Sequence, residues 1–308
     1  MKKTFKPFIK IALVVPIFMV IINCKSDEKK PIESTKIPRA TKIDKSSFNL
    51  NLNLLLDLSD RISPVKFPNE AMEFYKRDVG YIKSVSSAFL EHLSKKKVRQ
   101  ANEQIELFFE PSPANSDINN LSNKLKYSIS KDNLSKEILH EVDSSYSNYP
   151  LKIYELAIKD NNYIGSDTWR FFKNKVGDYC IEEGYRNILV ILTDGYIYHK
   201  DTQLKEGNRT SFLIPQEIRK NKLNSSKWKE KFENQDFGFI KINKDLSDIE
   251  ILVLGINPDS KNVYEEDVIN AYWSKWLTEM NVKRFAIKQA VLPSNMDKII
   301  KDFILDPI

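Results

Sequence analysis

Hydrophobic residues follow two alternating patterns along most of this chain. Short apolar runs of strand length are separated by longer stretches in which apolar residues recur with the helical period of about 3.6 residues. The short runs predict strands at residues 48–56, 104–110, 125–129, 187–193, 249–256 and 283–288. The periodic stretches predict helices at residues 70–95, 133–161, 165–181, 263–280 and 294–303, with the second helix divided near Pro150.

The alternation of strands and helices predicts the fold class. Strands that alternate with helices are typical of a parallel sheet covered on both sides. We therefore expect an α/β fold, Rossmann-like, with a doubly wound, mostly parallel six-stranded sheet and helices on both faces. In the strand order 3-2-1-4-5-6, the first and fourth strands are neighbours, and a crevice opens beyond their carboxyl ends.

Oxygen-bearing side chains follow these two strands directly. The first strand has an apolar body that ends at Leu56, and Asp57, Ser59 and Asp60 come next. The fourth strand is followed by Asp194. If the two strands are neighbours, Asp57, Ser59 and Asp194 face one another across the crevice. Carboxylate and hydroxyl oxygens suit a hard cation such as Mg²⁺, which uses few protein carboxylates and keeps several waters.

This pattern resembles the von Willebrand factor A-type domain, and the resemblance covers residues 48–305. That family has a metal-ion-dependent adhesion site built from Asp-x-Ser-x-Ser after the first strand, a threonine in a later loop and an aspartate after the fourth strand. The resemblance implies that Asp57, Ser59, Thr168 and Asp194 hold Mg²⁺ or Mn²⁺. It also implies that a protein or glycan partner offers a carboxylate to the metal.

The third position of the first motif departs from the family pattern, because it is Arg61. A guanidinium carries a fixed positive charge and cannot ligate a cation. If Arg61 points into the site, it competes with the metal and pairs with Asp57 or Asp194. If it points away, water can replace the missing hydroxyl. Asp60 is a second residue able to modulate the site, although strand alternation directs it to the other side.

The loop after the fourth strand is unusually long. Residues 196–248 form an insertion of about 50 residues, far above ordinary connection lengths. It leaves from the carboxyl end of a strand and is rich in aromatic and basic residues. Two alternatives stay open for it. It is either a lid or recognition surface over the site, or a packed decoration whose aromatic residues form a satellite core.

The first 47 residues predict export and membrane attachment. Four lysines precede an apolar run over residues 11–22, which is too short for a membrane span and typical of a signal peptide. Residues 21–24 resemble the lipobox of bacterial lipoproteins, which implies a signal peptide at 1–24 and a lipid, such as palmitate, on Cys24. The alternative is an uncleaved membrane anchor. Residues 25–47 are polar and predict a flexible linker to a domain at 48–308.

The signal peptide and the lipobox resemblance imply a location in the cell envelope, lipid-anchored at the outer membrane and either periplasmic or surface-exposed. The net charge is +6, and four of the lysines lie in the predicted signal peptide. No basic cluster therefore supports a nucleic-acid partner. The second of the two cysteines, Cys180, lies in an apolar-periodic segment and predicts a packed core thiol.

Catalytic motifs are missing from the sequence, including HExxH, GxSxG, GxxxxGK and GxGxxG. Asp57 alternatively resembles the nucleophile of haloacid dehalogenase-type phosphatases, but Ser59 stands where that family has a second acidic residue. We therefore expect a protein that is not an enzyme: an exported lipoprotein that binds a protein or glycan partner. The alternatives are a metal-free envelope scaffolding protein and a Mg²⁺-dependent phosphohydrolase.

Overall fold

A computed structural model describes residues 48–163 and 165–307. The predicted signal peptide at 1–24, the lipidation site Cys24 and the linker at 25–47 lie outside the described residues, so they stay predictions. Among the described helices, none combines the length and apolar composition that a membrane span requires.

Six strands form the central sheet. They are β1 (Asn49–Leu56), β2 (Asn102–Phe109), β3 (Tyr127–Ser130), β4 (Tyr185–Leu192), β5 (Ile249–Ile256) and β6 (Arg284–Gln289). Their order across the sheet is β3-β2-β1-β4-β5-β6. Every neighbouring pair is parallel except β2 and β3. The predicted α/β class and the six-stranded, mostly parallel sheet are therefore confirmed, and β1 and β4 are neighbours as expected.

Helices lie on both faces of this sheet. They are α1 (Phe74–Ser94), α2 (Ser116–Asn123), α3 (Lys136–Asp160), α4 (Thr168–Asn174), α5 (Val176–Tyr179), α6 (Pro215–Lys220), α7 (Trp228–Asn234), α8 (Glu265–Glu279) and α9 (Pro293–Leu305). Strand side chains alternate between two hydrophobic clusters, so that Val190 belongs to one and Ile191 to the other. The first cluster includes residues of α1, α3 and α9, and the second includes residues of α4 and α8.

The predicted break at Pro150 is wrong, because α3 is one continuous helix that contains this proline. Proline removes one backbone hydrogen bond from a helix interior. The buried residues Tyr146 and Ile153, on either side of Pro150, belong to the same hydrophobic cluster. Burial of this continuous apolar face outweighs the lost hydrogen bond, so the helix continues.

The chain enters the sheet at the amino end of β1 through Phe48. The ring of Phe48 stacks on His92 with centroids 4.9 Å apart, and the guanidinium of Arg186 lies 5.1 Å from its centroid. The buried ammonium of Lys96 donates to the Phe48 carbonyl at 3.0 Å and pairs with Glu103. Aromatic stacking and paired charges therefore fix the entry point at the edge opposite the strand carboxyl ends.

Residues 196–248 are mostly packed onto the second hydrophobic cluster. This segment includes α6, α7 and the two-residue strands Tyr198–His199, Lys205–Glu206, Arg209–Thr210 and Gly238–Phe239. Phe239 is buried, and its ring centroid lies 5.2 Å from that of Tyr272 and 5.1 Å from that of Trp276. The aromatic residues of this segment are therefore part of the second main cluster and do not form a separate satellite core, and Tyr196 and Tyr198 also line the cleft, so both alternatives for the segment stay open. Cys180 lies buried in the same cluster, which confirms the predicted core thiol, and burial raises the pKa of this thiol.

Truncation of the aromatic anchor should destabilise the whole domain. Phe239→Ala should lower the free energy of unfolding by about 3–5 kcal/mol, because it leaves a cavity between Tyr272 and Trp276. Chemical denaturation followed by tryptophan fluorescence measures this change. Leu204→Ala is the matched control, since Leu204 is an exposed residue of the same segment. Equal stability of the two variants would contradict the packing described here.

Candidate functional site

A cleft of about 1010 Å³ lies at the carboxyl ends of the central strands. Its walls come from the loops after β1 and β5, from the long segment after β4 that includes Asp194, and from residues just before α4. Parallel strands bring the loops after their carboxyl ends to one edge of the sheet. This edge is where the sequence predicts the site, and Ser59, Asp60, Arg61 and Asp194 all line the cleft.

Asp57 is held beneath the cleft by the loop in which it lies. It follows β1 directly, and its backbone N–H donates to the Leu192 carbonyl at 3.0 Å, which continues the pairing with β4. The side chain is only 3% exposed. One carboxylate oxygen accepts from the Ser59 N–H at 2.8 Å, and the other accepts from the Thr193 hydroxyl at 3.2 Å. Hydrogen bonds from the residues that follow β1 and β4 therefore fix the orientation of the Asp57 carboxylate.

Arg61 points into the protein and not away from it. A short 3₁₀ turn at Asp60–Ile62 follows Ser59 and leaves the Arg61 residue 4% exposed. Its Nη2 donates to Asp78 Oδ2 at 2.5 Å and to the Leu192 carbonyl at 3.0 Å. Its Nε lies 3.5 Å from Asp57 Oδ2. Burial opposes the charge of Arg61, but Asp78 and then Asp57 raise the pKa of the guanidinium above its ordinary value.

Asp78, the ion-pair partner of this arginine, and Tyr154, which donates to Asp78, are not among the residues that the sequence singles out. Asp78 lies on α1, and the Tyr154 hydroxyl on α3 donates to its Oδ2 at 2.9 Å. Burial raises the pKa of Asp78, although Arg61 acts in the opposite direction. The sequence does carry a signal for Asp78, because it lies three residues after Tyr75 and four before Ile82 on an apolar helix face. A carboxylate on such a face requires a buried partner.

Asp194 is placed by a tight turn after β4. Gly195 has a φ of +98°, and a Cβ at this position would lie 2.6 Å from the Ile269 side chain, so only glycine fits. Asp194 Oδ1 accepts from the Tyr196 N–H at 3.1 Å. The residue is partly exposed to the cleft, but protein surrounds most of its carboxylate. This burial and the nearby Asp57 raise the pKa of Asp194 to about 7.

Thr168 lies just behind the wall of the cleft. It begins α4, which is capped by Asp167, and the Asp167 N–H donates to the Glu110 carbonyl after β2 at 2.9 Å. Thr168 is buried, and its hydroxyl is 3.2 Å from that of Ser166. Ser166 lines the cleft, whereas Thr168 is not among the lining residues. Of these two neighbouring hydroxyl residues, Ser166 therefore lines the cleft, and the role of Thr168 as a metal ligand stays a prediction.

Asp60 lies at the rim of the cleft and pairs with a neighbouring lysine. Its Oδ2 is 3.0 Å from the ammonium of Lys66, and both side chains are about half exposed. This direction agrees with the expectation that Asp60 points away from the residues on either side of it. Asp60 therefore contributes charge to the rim and not to the buried group of Asp57, Arg61 and Asp78.

The residues at this site do not fit a divalent cation in the way that the resemblance implies. The Arg61 guanidinium lies beside Asp57. A metal ion bound about 4 Å from this positive charge would be repelled by about 4 kcal/mol for each unit of its own charge, at an effective dielectric constant of about 20. No group of three or more His, Cys, Asp or Glu within the described ranges is arranged to hold a metal ion. The assignment of Asp57, Ser59, Thr168 and Asp194 to Mg²⁺ or Mn²⁺ stays a prediction.

Comparison with known proteins gives little further information. No protein-family model matches the chain, and no curated protein matches it. Among solved structures, the chain is similar to the pilus adhesin SpaC from Lactobacillus rhamnosus GG, with 9% sequence identity and a TM-score of 0.36. The match covers 83% of this chain and 30% of that chain. A similarity this low carries no argument about fold or function.

Removal of the buried guanidinium should be strongly destabilising. Arg61→Ala leaves Asp78 buried without its cation, and breaking a buried ion pair in this way costs about 3–5 kcal/mol. Urea denaturation measures the loss. Lys66→Ala, which breaks the half-exposed pair with Asp60, should cost within about 1 kcal/mol. Addition of Asp78→Asn to Arg61→Ala should restore part of the stability, and a failure to restore any would refute the coupling.

Asp194 should make stability depend on pH. Its pKa is about 7 in the folded chain and about 4 when unfolded, so between these values only the folded state holds the proton. Stability contributed by this proton is present at low pH and is lost as the pH rises through about 7. In EDTA, the advantage in melting temperature of the wild-type chain over Asp194→Asn should shrink by a few degrees from about pH 5 to about pH 8.

The control for this measurement is Ser59→Ala, which removes a neighbouring hydroxyl without removing a titrating group. Its melting temperature should follow the wild-type pH dependence. If Asp194→Asn also follows the wild-type curve, then Asp194 does not hold a proton in the folded chain near neutral pH.

Proposed function

We propose that this chain is a von Willebrand A-like protein of the cell envelope that binds a protein partner at the cleft and is not an enzyme. The observation that carries the proposal is the concentration of exposed apolar side chains around a polar cleft. Exposed apolar side chains that are grouped on one surface mark sites that bind other macromolecules, and aromatic residues are enriched in such interfaces.

These exposed side chains come from three loops at the same edge of the sheet. Val65 and Phe67 follow β1, Tyr198 follows β4, and Val263 follows β5. Val65 is 89% exposed and Val263 is 83% exposed. Phe67 and Tyr198 also line the cleft. Because water is a poor environment for such groups, their grouping supports a partner that covers this edge.

The environment of Asp57 supports binding more than phosphoryl transfer. Both carboxylate oxygens accept hydrogen bonds, from Ser59 and Thr193, and Arg61 lies beside the second oxygen. A carboxylate nucleophile needs a free oxygen facing its substrate. The phosphohydrolase alternative therefore has less support than a binding function.

The strand order and the two acidic loops support the family proposal. The order β3-β2-β1-β4-β5-β6 makes β1 and β4 neighbours, so Asp57 and Asp194 leave from adjacent strand ends, as the resemblance implies. A lipid on Cys24 and a location at the outer membrane belong to the same proposal and are supported by residues 1–47 of the sequence alone. The alternative is an envelope scaffolding protein that uses another face of the same fold.

Variants of the cleft separate these two functions. The double variant Phe67→Ala, Tyr198→Ala should lower capture of partner proteins from envelope extracts at least about tenfold, since aromatic anchors carry much of the energy of an interface. The full chain is used, with and without EDTA, and captured proteins are quantified by mass spectrometry.

The matched control is the double variant Val98→Ala, Tyr179→Ala, which removes exposed apolar side chains that do not line the cleft. Its capture should equal that of the wild-type chain. If the cleft variant captures the same partners at the same level while remaining folded, the proposed binding surface is wrong and scaffolding through another face is favoured.

A further inference from the structure

We infer that the Arg61 guanidinium takes the place of the divalent cation of the resembling family, so that the floor of the cleft forms and binds its partner without metal. The inference rests on the proposed binding function and adds the chemistry of its site. It concerns a positioning role, because Arg61 acts on the cleft through the groups that it holds.

Arg61 connects the structural elements that surround the floor of the cleft. Arg61 lies in the loop after β1, and its Nη2 donates both to Asp78 on α1 and to the Leu192 carbonyl at the end of β4. Tyr154 on α3 donates to the same oxygen of Asp78. A bound cation links loops by drawing several oxygens around one positive charge. Here one guanidinium draws oxygens from Asp57, Asp78 and Leu192 around its own charge.

The positive charge of Arg61 cannot be removed or easily displaced. A guanidinium stays protonated at every physiological pH, and this one is almost fully buried. If a metal displaced it from Asp57, Asp78 would also lose its partner, because Nη2 contacts Asp78 while Nε faces Asp57. A buried carboxylate without a cation is strongly unfavourable. Mg²⁺ would in addition have to give up part of its hydration shell.

The remaining oxygens do not make up a set of metal ligands. Both oxygens of Asp57 accept hydrogen bonds from the protein. Asp194 has a free Oδ2, because among the described residues only Tyr196 donates to this carboxylate, and it does so at Oδ1. Thr168 lies behind Ser166. Among the described residues, Asp194 Oδ2 and the Ser59 hydroxyl are the free oxygens at the floor, and Asp57 Oδ2 already faces the Arg61 guanidinium, so most of the six Mg²⁺ positions would have to be filled by water.

The direct test measures metal binding without any variant. Mn²⁺ is titrated into the full chain and the free ion is followed by electron paramagnetic resonance, and melting temperatures are compared in EDTA and in millimolar Mg²⁺ or Mn²⁺. We expect no bound Mn²⁺ and equal melting temperatures. Binding of Mn²⁺ that Asp57→Asn abolishes, or a metal-dependent rise in the wild-type melting temperature, would overturn the inference.

A gain-of-binding variant tests the role of Arg61 itself. Arg61→Ser supplies the hydroxyl that the family pattern has at this position, and Asp78→Asn added to it avoids a buried unpaired charge. The double variant should gain a rise of a few degrees in melting temperature with Mg²⁺ or Mn²⁺. The control, Asp78→Asn alone, should show no rise. A folded double variant that does not respond to metal would show that Arg61 is not what excludes it.

Partner binding separates this inference from the proposed function. Capture that is lost in the cleft variant but unaffected by EDTA supports both. Capture that requires Mg²⁺ or Mn²⁺ overturns the inference and leaves the proposed function standing. If the wild-type chain captures nothing specific to the cleft, the proposed function fails, and the Mn²⁺ titration still decides whether Arg61 has replaced the metal.

Discussion

A positive charge buried among carboxylates is the constraint on which the cleft depends. Arg61 and Asp78 lie 2.5 Å apart with almost no exposure to solvent, and Asp57 lies on the other side of the same guanidinium. Neither charge is tolerable alone in this environment. The positions of the β1 loop, of α1 and of the end of β4 are therefore set together, and the open side of this arrangement is the cleft that Asp194 lines.

The sequence predicts the frame of the fold because local patterns encode it. Strand β5 has the predicted bounds, since its apolar run, interrupted near its start by Glu250, stops where the polarity changes. The continuity of α3 through Pro150 was not predictable in this way, because it depends on packing of both halves against one cluster. Local rules name the residue that weakens a helix but not the neighbours that compensate for it.

The site also combines residues that local sequence patterns predict with residues whose positions depend on distant parts of the chain. Asp57 and Asp194 were predictable because they follow buried strands that become neighbours. The direction of Arg61 was not predictable, because its partners Asp78 and Leu192 are 17 and 131 residues away in sequence. The sequence also did not show that Ser166 lines the cleft while Thr168, with its hydroxyl 3.2 Å away, does not. Which of two nearby hydroxyls faces a cleft depends on backbone geometry that spacing does not encode.

The entry of the chain at Phe48 has a mechanical consequence. Phe48 leads directly into β1, which is hydrogen-bonded to β2 on one side and to β4 on the other, and the cleft lies at the far end of the same strand. A pulling force between a partner in the cleft and the chain upstream of Phe48 would run along β1. Such a force loads both ladders in shear at once, so that many hydrogen bonds must break together before the strand can slip.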